Sequence, residues 1–274
     1  MKRILRWVRA HKVKSLLLFL LVLVVIELAT IPWISIGALR TVNPIETALM
    51  RQRKAEAAAE AKPYRITQRW IALTRIPRHV VEAIVVAEDG TFYSHGGFDW
   101  YEVQESIEKN IQQHRAARGG STITQQLAKN LYLSTSKDPI RKAKEAVITL
   151  LLEQSLTKSR ILEIYVNCIE WGRGIFGIEA ASQAYFGKSA GSLSLEEGAR
   201  LAAVIPSPLR HRPDADTRYV LRRKQIVLNR MAARTAASQS QSREMSSRPP
   251  DQEVFPATDA TDSSDIDEGD DNGL

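Results

Sequence analysis

The chain has 274 residues, 44% hydrophobic and 25% charged, with a formal net charge of +7 and one cysteine. That is enough apolar material for one sizeable domain with attachments, and it excludes wholesale disorder. A lone cysteine excludes an intrachain disulfide, and Cys168 reads as a small residue packed in a helix.

The averages conceal unlike regions. Residues 1–15 hold Lys2, Arg3, Arg6, Arg9, Lys12 and Lys14, and the run from Leu16 to Ile36 is almost unbroken Leu, Val and Ile. About 20 apolar residues let a helix cross a hydrocarbon core, and the basic flank marks the cytoplasmic side. A cleavable signal peptide would have an apolar region of about 7 to 15 residues and a small-residue cleavage site. Pro32 and Trp33 look instead like an interface anchor. The sequence therefore predicts one retained transmembrane helix over 16–36, with the rest of the chain beyond the membrane. That compartment argues against nucleic acid and for anionic headgroups or a phosphate-bearing substrate as the counter-surface to the basic charge. Glu27 is discordant within the span, costly in lipid unless protonated or paired, and reads as a tolerated defect.

Residues 37–69 read as a stalk and membrane-proximal segment. In it MRQRKAEAAAEAK (50–62) is Ala- and charge-rich, a predicted helix closed by Pro63. The folded unit is 70–234. There VVEAIVVAED sets Val81, Ile84, Val85 and Glu88 at helical spacing, so the carboxylate extends an apolar stripe. DPIRKAKEAVITLLLEQSL opens on the helix-start signals Asp138 and Pro139. TKSRILEIYVN has Ser159 as a plausible cap, with Ile161, Leu162 and Tyr165 on one side. SLEEGARLAAVIPSP reads as a helix stopped by Pro206 and Pro208. No series of alternating strands competes, so the fold class is mainly α. From Thr235 the chain turns to Ser, Gln, Asp, Glu and Pro, and 235–274 reads as a disordered acidic tail unable to bury a core.

Four constellations carry chemistry. In GGSTITQQLAKN (119–130), Thr122 with Gln125 fits a capping box, and Ser121, Gln125 and Lys129 follow at four-residue spacing. A helix start with free amides, hydroxyls and a lysine suits an anion or a sugar-hydroxyl array; the spacing alone also fits an ordinary capped helix. Glu88 combines an apolar stripe with a helix C-terminus, and both raise a carboxyl pKa toward what a general base needs; a surface glutamate before a turn is the plain alternative. Arg141, Lys142 and Lys144 surround Glu145, which fits either a diphosphate site or a solvated salt-bridge cluster. Lys158, Glu163, Tyr165 and Asn167 are open between binding and simple packing.

The order of EDGTFYSHGG, GGSTITQQLAKN, RKAKE, KSRILEIYVN and RKQIVL resembles the motif series of the peptidoglycan glycosyltransferase family, across roughly Trp70 to Met231. With one such domain after the span, the resemblance is to the monofunctional biosynthetic transglycosylases. It implies a lysozyme-like helical fold with a small membrane-proximal lobe, acting on lipid II and a growing lipid-linked glycan. Glu88 would deprotonate the acceptor 4-hydroxyl, and the attack would invert the anomeric carbon and release undecaprenyl diphosphate. Glu145 would assist on the donor side by orienting the basic residues or a divalent ion, with magnesium or manganese the candidates. Ser121, Gln125, Lys129 and Asn130 match positions that hold donor sugar and phosphates, and Arg141, Lys142 and Lys144 belong to the diphosphate-binding motif. His95 matches a motif position and is read as structural. The implied place is a bacterial inner membrane, with the domain periplasmic and cell-wall synthesis or division proteins as candidate partners. Two rivals remain. A hydrolase would use two carboxyl groups and gives no reason for the cations; a non-catalytic scaffold gives no reason for both glutamates.

Overall fold

The computed structural model describes residues 11–101, 104, 120–136 and 138–247, the last seven as backbone only. The basic residues before His11, Gly119 and the tail beyond Ser247 lie outside the described residues.

The apolar run forms helix α1, Lys12–Ala29. Among the described residues, the stretch Lys12–Ala38 is the helical one long and apolar enough to cross a membrane, with a mean hydropathy of 2.6. It is interrupted at Pro32, which has no N–H to continue the ladder, and resumes as α2, Trp33–Ala38. The expected span over 16–36 lies within this stretch. Ile31, Ile36 and Leu39 are buried in the main core, so the end of the run belongs to the domain. Arg160 donates to Leu39 O (2.8 Å) and Val42 O (3.1 Å), and Arg40 Nε donates to Ser155 O (2.8 Å).

The helix expected over 50–62 forms, and it packs onto the domain where a stalk was expected. Helix α3, Ala48–Ala59, is capped by Thr47, whose Oγ1 accepts from Met50 N. It buries Leu49, Met50 and Ala57, with Leu49 and Met50 clustered against Phe176. Arg53 Nε donates to the buried Glu170 carboxylate at 2.8 Å. A polar composition concealed a narrow inward stripe.

The remaining helices build the core. Helix α4, Arg78–Glu88, buries Val80, Ala83, Ile84, Val85 and Val86. Helix α5 is Ile123–Tyr132, α6 is Pro139–Ser155 and α7 is Lys158–Cys168, with α5 packed between α6 and α7. Thr157, not Ser159, caps α7, its Oγ1 accepting from Arg160 N. Helix α8, Ile178–Phe186, follows the sheet, and α9, Leu195–Val204, packs on α4. A Cβ on Gly198 would sit 3.0 Å from Val80 Cγ2, so glycine permits that close approach.

A small sheet orders its strands β1 (Thr67–Gln68), β3 (Ile175–Phe176) and β2 (Glu170–Gly172); β1 runs parallel to β3, with Thr67 opposite Ile175, and β2 runs antiparallel. Strands this short leave no alternation to read. Helix α10, Arg218–Ser247, buries Val220, Val227 and Met231. Its backbone runs past Thr235, against the expectation of a tail from that point. Extending an existing helix is easier than nucleating one, and Ala236, Ala237, Gln239 and Arg243 sustain it.

Candidate active site

Glu88 ends α4, as its place on the apolar stripe predicts. Gln126 Nε2 donates to Glu88 Oε2 at 2.9 Å, and Tyr165 OH donates to Gln126 Oε1 at 2.9 Å, so three helices fix one carboxylate. Burial raises the pKa of Glu88, opposed by the Gln126 hydrogen bond and the charges of Arg223 and Lys129, and reinforced by Asp89. The Tyr165 phenol is pushed well up by burial and remains a donor.

The start of α5 holds an anion, but the anion is the protein's own. Thr122 and Gln125 form the predicted capping box, with Thr122 N donating to Gln125 Oε1 (3.0 Å) and Gln125 N to Thr122 Oγ1 (3.2 Å). Ile123 N, the first helical amide, donates to Asp89 Oδ2 at 2.9 Å. The positive end of the helix is met by this carboxylate. Asp89 Oδ1 takes the other side of the contact from His95 Nε2 (2.9 Å). Gly97 N donates to His95 Nδ1, so the neutral ring carries its proton on Nε2 and donates it to Asp89. Both ring nitrogens of His95 are thus engaged within the fold. Gly97, at φ +94°, passes its carbonyl to Thr122 Oγ1 at 2.7 Å.

On α6, capped by Asp138 with Pro139 in its first turn, Glu145 is 3% exposed and accepts from Arg141 Nη1 at 2.6 Å and from Lys142 Nζ. Lys129, one helix away, feels Glu145, Arg141, Lys142 and Glu88; burial lowers its pKa, with Glu145 opposing. Lysine and glutamate networks thus connect the α4 carboxylate to the α6 cations. Lys144 stands apart from Glu145 and forms an ion pair with Glu27 Oε2 of α1. Glu27 is therefore ion-paired, one of the conditions under which a carboxylate is tolerated in an apolar span.

The structure brings Glu88, Lys129, Arg141, Lys142 and Glu145 into one electrostatic neighbourhood. Asn130 is buried beside them on α5. Ser121 precedes α5, outside the predicted four-residue stack, and Gln125 is buried with its carbonyl engaged in the cap. The amide facing Glu88 is Gln126, which the sequence reading passed over. The capping box was the available signal: once it takes Gln125, Gln126 is the free amide of the pair. Asn167 latches α7 to the chain before α4, its Oδ1 accepting from Ile71 N (2.9 Å) and its Nδ2 donating to Ile71 O (2.8 Å). Lys158 Nζ pairs with Glu153 (2.8 Å) and lies 4.4 Å from the Phe92 ring centroid. Cys168 is buried, its thiol pushed up to about 12 by burial. The donor set does not fit a resident divalent ion. Both Glu145 oxygens are engaged by cations, and among the described residues no three His, Cys, Asp or Glu side chains converge.

A desolvated carboxylate in the field of Lys129 and Arg223, in a mainly helical body behind an apolar helix, is the kind of arrangement that suits group transfer from an anionic leaving group. A sequence model of the transglycosylase family matches residues 54–232. The biosynthetic peptidoglycan transglycosylase of Nitrosospira multiformis is 46% identical over 191 residues, 70% of this chain and 83% of its own length. That of Herminiimonas arsenicoxydans is 41% identical over 226 residues, 81% of this chain and 98% of its own, and that of Azoarcus is 49% identical over 173 residues, 63% and 74%. The chain belongs to the transglycosylase family.

Proposed function

We propose that the chain is a peptidoglycan glycosyltransferase that polymerises lipid II into β-1,4-linked glycan, anchored by α1. The observation that carries this is the Glu88–Gln126 pair within the field of Lys129 and Arg223, with Lys129 in turn beside the α6 cations. Gln126 engages Oε2 of Glu88, and Oε1 receives the proton of the acceptor 4-hydroxyl as the acceptor oxygen bonds to the donor's anomeric carbon. The bond from that carbon to the diphosphate oxygen breaks, and inversion follows from attack opposite the leaving group. The departing undecaprenyl diphosphate carries the released electron pair, and Lys129, Arg141, Lys142 and Lys144 supply its counter-charge. Such preorganised charge is commonly the largest catalytic term. Glu145 acts by holding Arg141 and Lys142 in place. Ser121, at the mouth of α5, and Asn130 contact the donor sugar, while Gln125 supports them through the cap. Lys12, Lys14 and the basic residues before them support a cytoplasmic N-terminus and a periplasmic domain.

The hydrolase reading is disfavoured because Glu145 has both oxygens committed to cations and none free as a second catalytic carboxyl. The test is polymerisation of labelled lipid II by the detergent-solubilised chain beside Glu88→Gln. Lengthening lipid-linked glycan from wild type, reduced about 10²–10⁴-fold in the variant, is the expected result. Shortening of preformed glycan would establish the hydrolase instead.

A further inference from the structure

Glu27 sits in the last turn of α1, at the negative end of its dipole and on a surface apolar enough for lipid, two unfavourable placements for a carboxylate. Its counter-charge is Lys144 Nζ. The ion pair crosses from the membrane helix to α6, the helix whose other cations, Arg141 and Lys142, already share Glu145. Lys144 is the cation of that motif whose charge is held by a group outside the cleft. The proposed substrate carries its diphosphate at the head of a polyprenyl tail, and Lys144 lies on the same helix as the Arg141 and Lys142 cations proposed to receive it.

We propose that Glu27 is a displaceable counter-ion for Lys144: it positions the ammonium in the empty enzyme, yields it to the diphosphate of a polyprenyl-linked substrate, and reclaims it as the diphosphate product leaves. The inference deepens the transglycosylase reading and rests on it. Glu27 touches no reacting atom; it is a positioning residue. A carboxylate competing for the same ammonium weakens diphosphate binding. The α6 cations and Lys129 supply the rest of the attraction, and Glu27 sets how much of Lys144 remains available.

The experiment is a titration of the full chain in detergent micelles with undecaprenyl diphosphate, alongside lipid II polymerisation. Glu27→Gln is expected to bind about two- to fivefold more tightly, the scale of an exposed ion pair, and to lower the KM for lipid II by a similar factor. Both gains vanish in the Glu27→Gln, Lys144→Gln double variant relative to Lys144→Gln alone, and Glu27→Asp, which keeps the charge, stays close to wild type. Thermal melts establish that each variant is folded. Unchanged affinity in Glu27→Gln, an equal gain when Lys144 is already Gln, or no binding of the diphosphate by wild type would overturn the assignment. A wild type that shows the binding coupling yet builds no glycan overturns the transglycosylase reading and leaves the counter-ion standing.

Discussion

At Glu88 two influences oppose each other: burial raises the pKa from the ordinary 4.5, and the Gln126 amide draws it back. The acid limb of kcat/KM therefore has its midpoint above 4.5. Gln126→Leu removes the donor and moves that limb to still higher pH, while Tyr165→Phe, which frees the amide to turn, moves it the same way by less; a pH–rate profile of each variant checks this. Burial lowers the pKa of Lys129 from its ordinary 10.5, so on the proposed reading affinity for diphosphate is expected to fall on the alkaline side earlier than for an exposed lysine, as a titration against pH would show. The same burial has a stability consequence. A carboxyl whose folded pKa lies above its unfolded value destabilises the fold once the pH exceeds the unfolded value. Glu88→Gln is thus expected to melt higher than wild type at neutral pH, with the difference vanishing below about pH 4.5. Gain of stability with loss of polymerisation separates a functional carboxylate from a structural one.

Among the elements, the Arg53–Glu170 contact is the critical join between α3 and the sheet. Burial raises the pKa of Glu170, against the pull of Arg53. Arg53→Ala leaves a buried carboxylate uncompensated and is expected to destabilise by about 1–3 kcal/mol, less than for a fully buried pair because Arg53 is partly exposed. Adding Glu170→Gln should recover most of the loss, measured by chemical denaturation. This join illustrates what sequence conceals. The start of α5 was legible because Thr122 and Gln125 lie within one turn, as was that of α6 from Asp138–Pro139. So was Glu88, since its own stripe declares its burial. Asp89 on Ile123 N was not, being a contact made 34 residues away in sequence, and a helix start that looks ready for phosphate does not announce its internal anion. The inward stripe of α3 escaped notice because alanine and methionine among charges read equally as exposed.

For the whole molecule, one compact unit runs to Arg234, whose Nη1 donates to Gly90 O (3.1 Å) beside Glu88. Removing 235–274 is expected to leave polymerisation and melting temperature near wild type. Removing everything before Ala48 should not be tolerated, since it strips Ile31, Ile36 and Leu39 from the core; a chain starting at Ile31 keeps them and is expected to fold, as judged by melting and proteolysis. The clamp of Arg160 and Arg40 on residues 39–42 reaches further than this bookkeeping of buried side chains. It removes the slack that a stalk would have provided. In a bilayer, helix tilt follows hydrocarbon thickness, and a clamped cleft pitches with its helix. Lipid chain length is then expected to modulate polymerisation through the angle between the cleft and the membrane plane, measured as lipid II turnover in vesicles of short and long acyl chains.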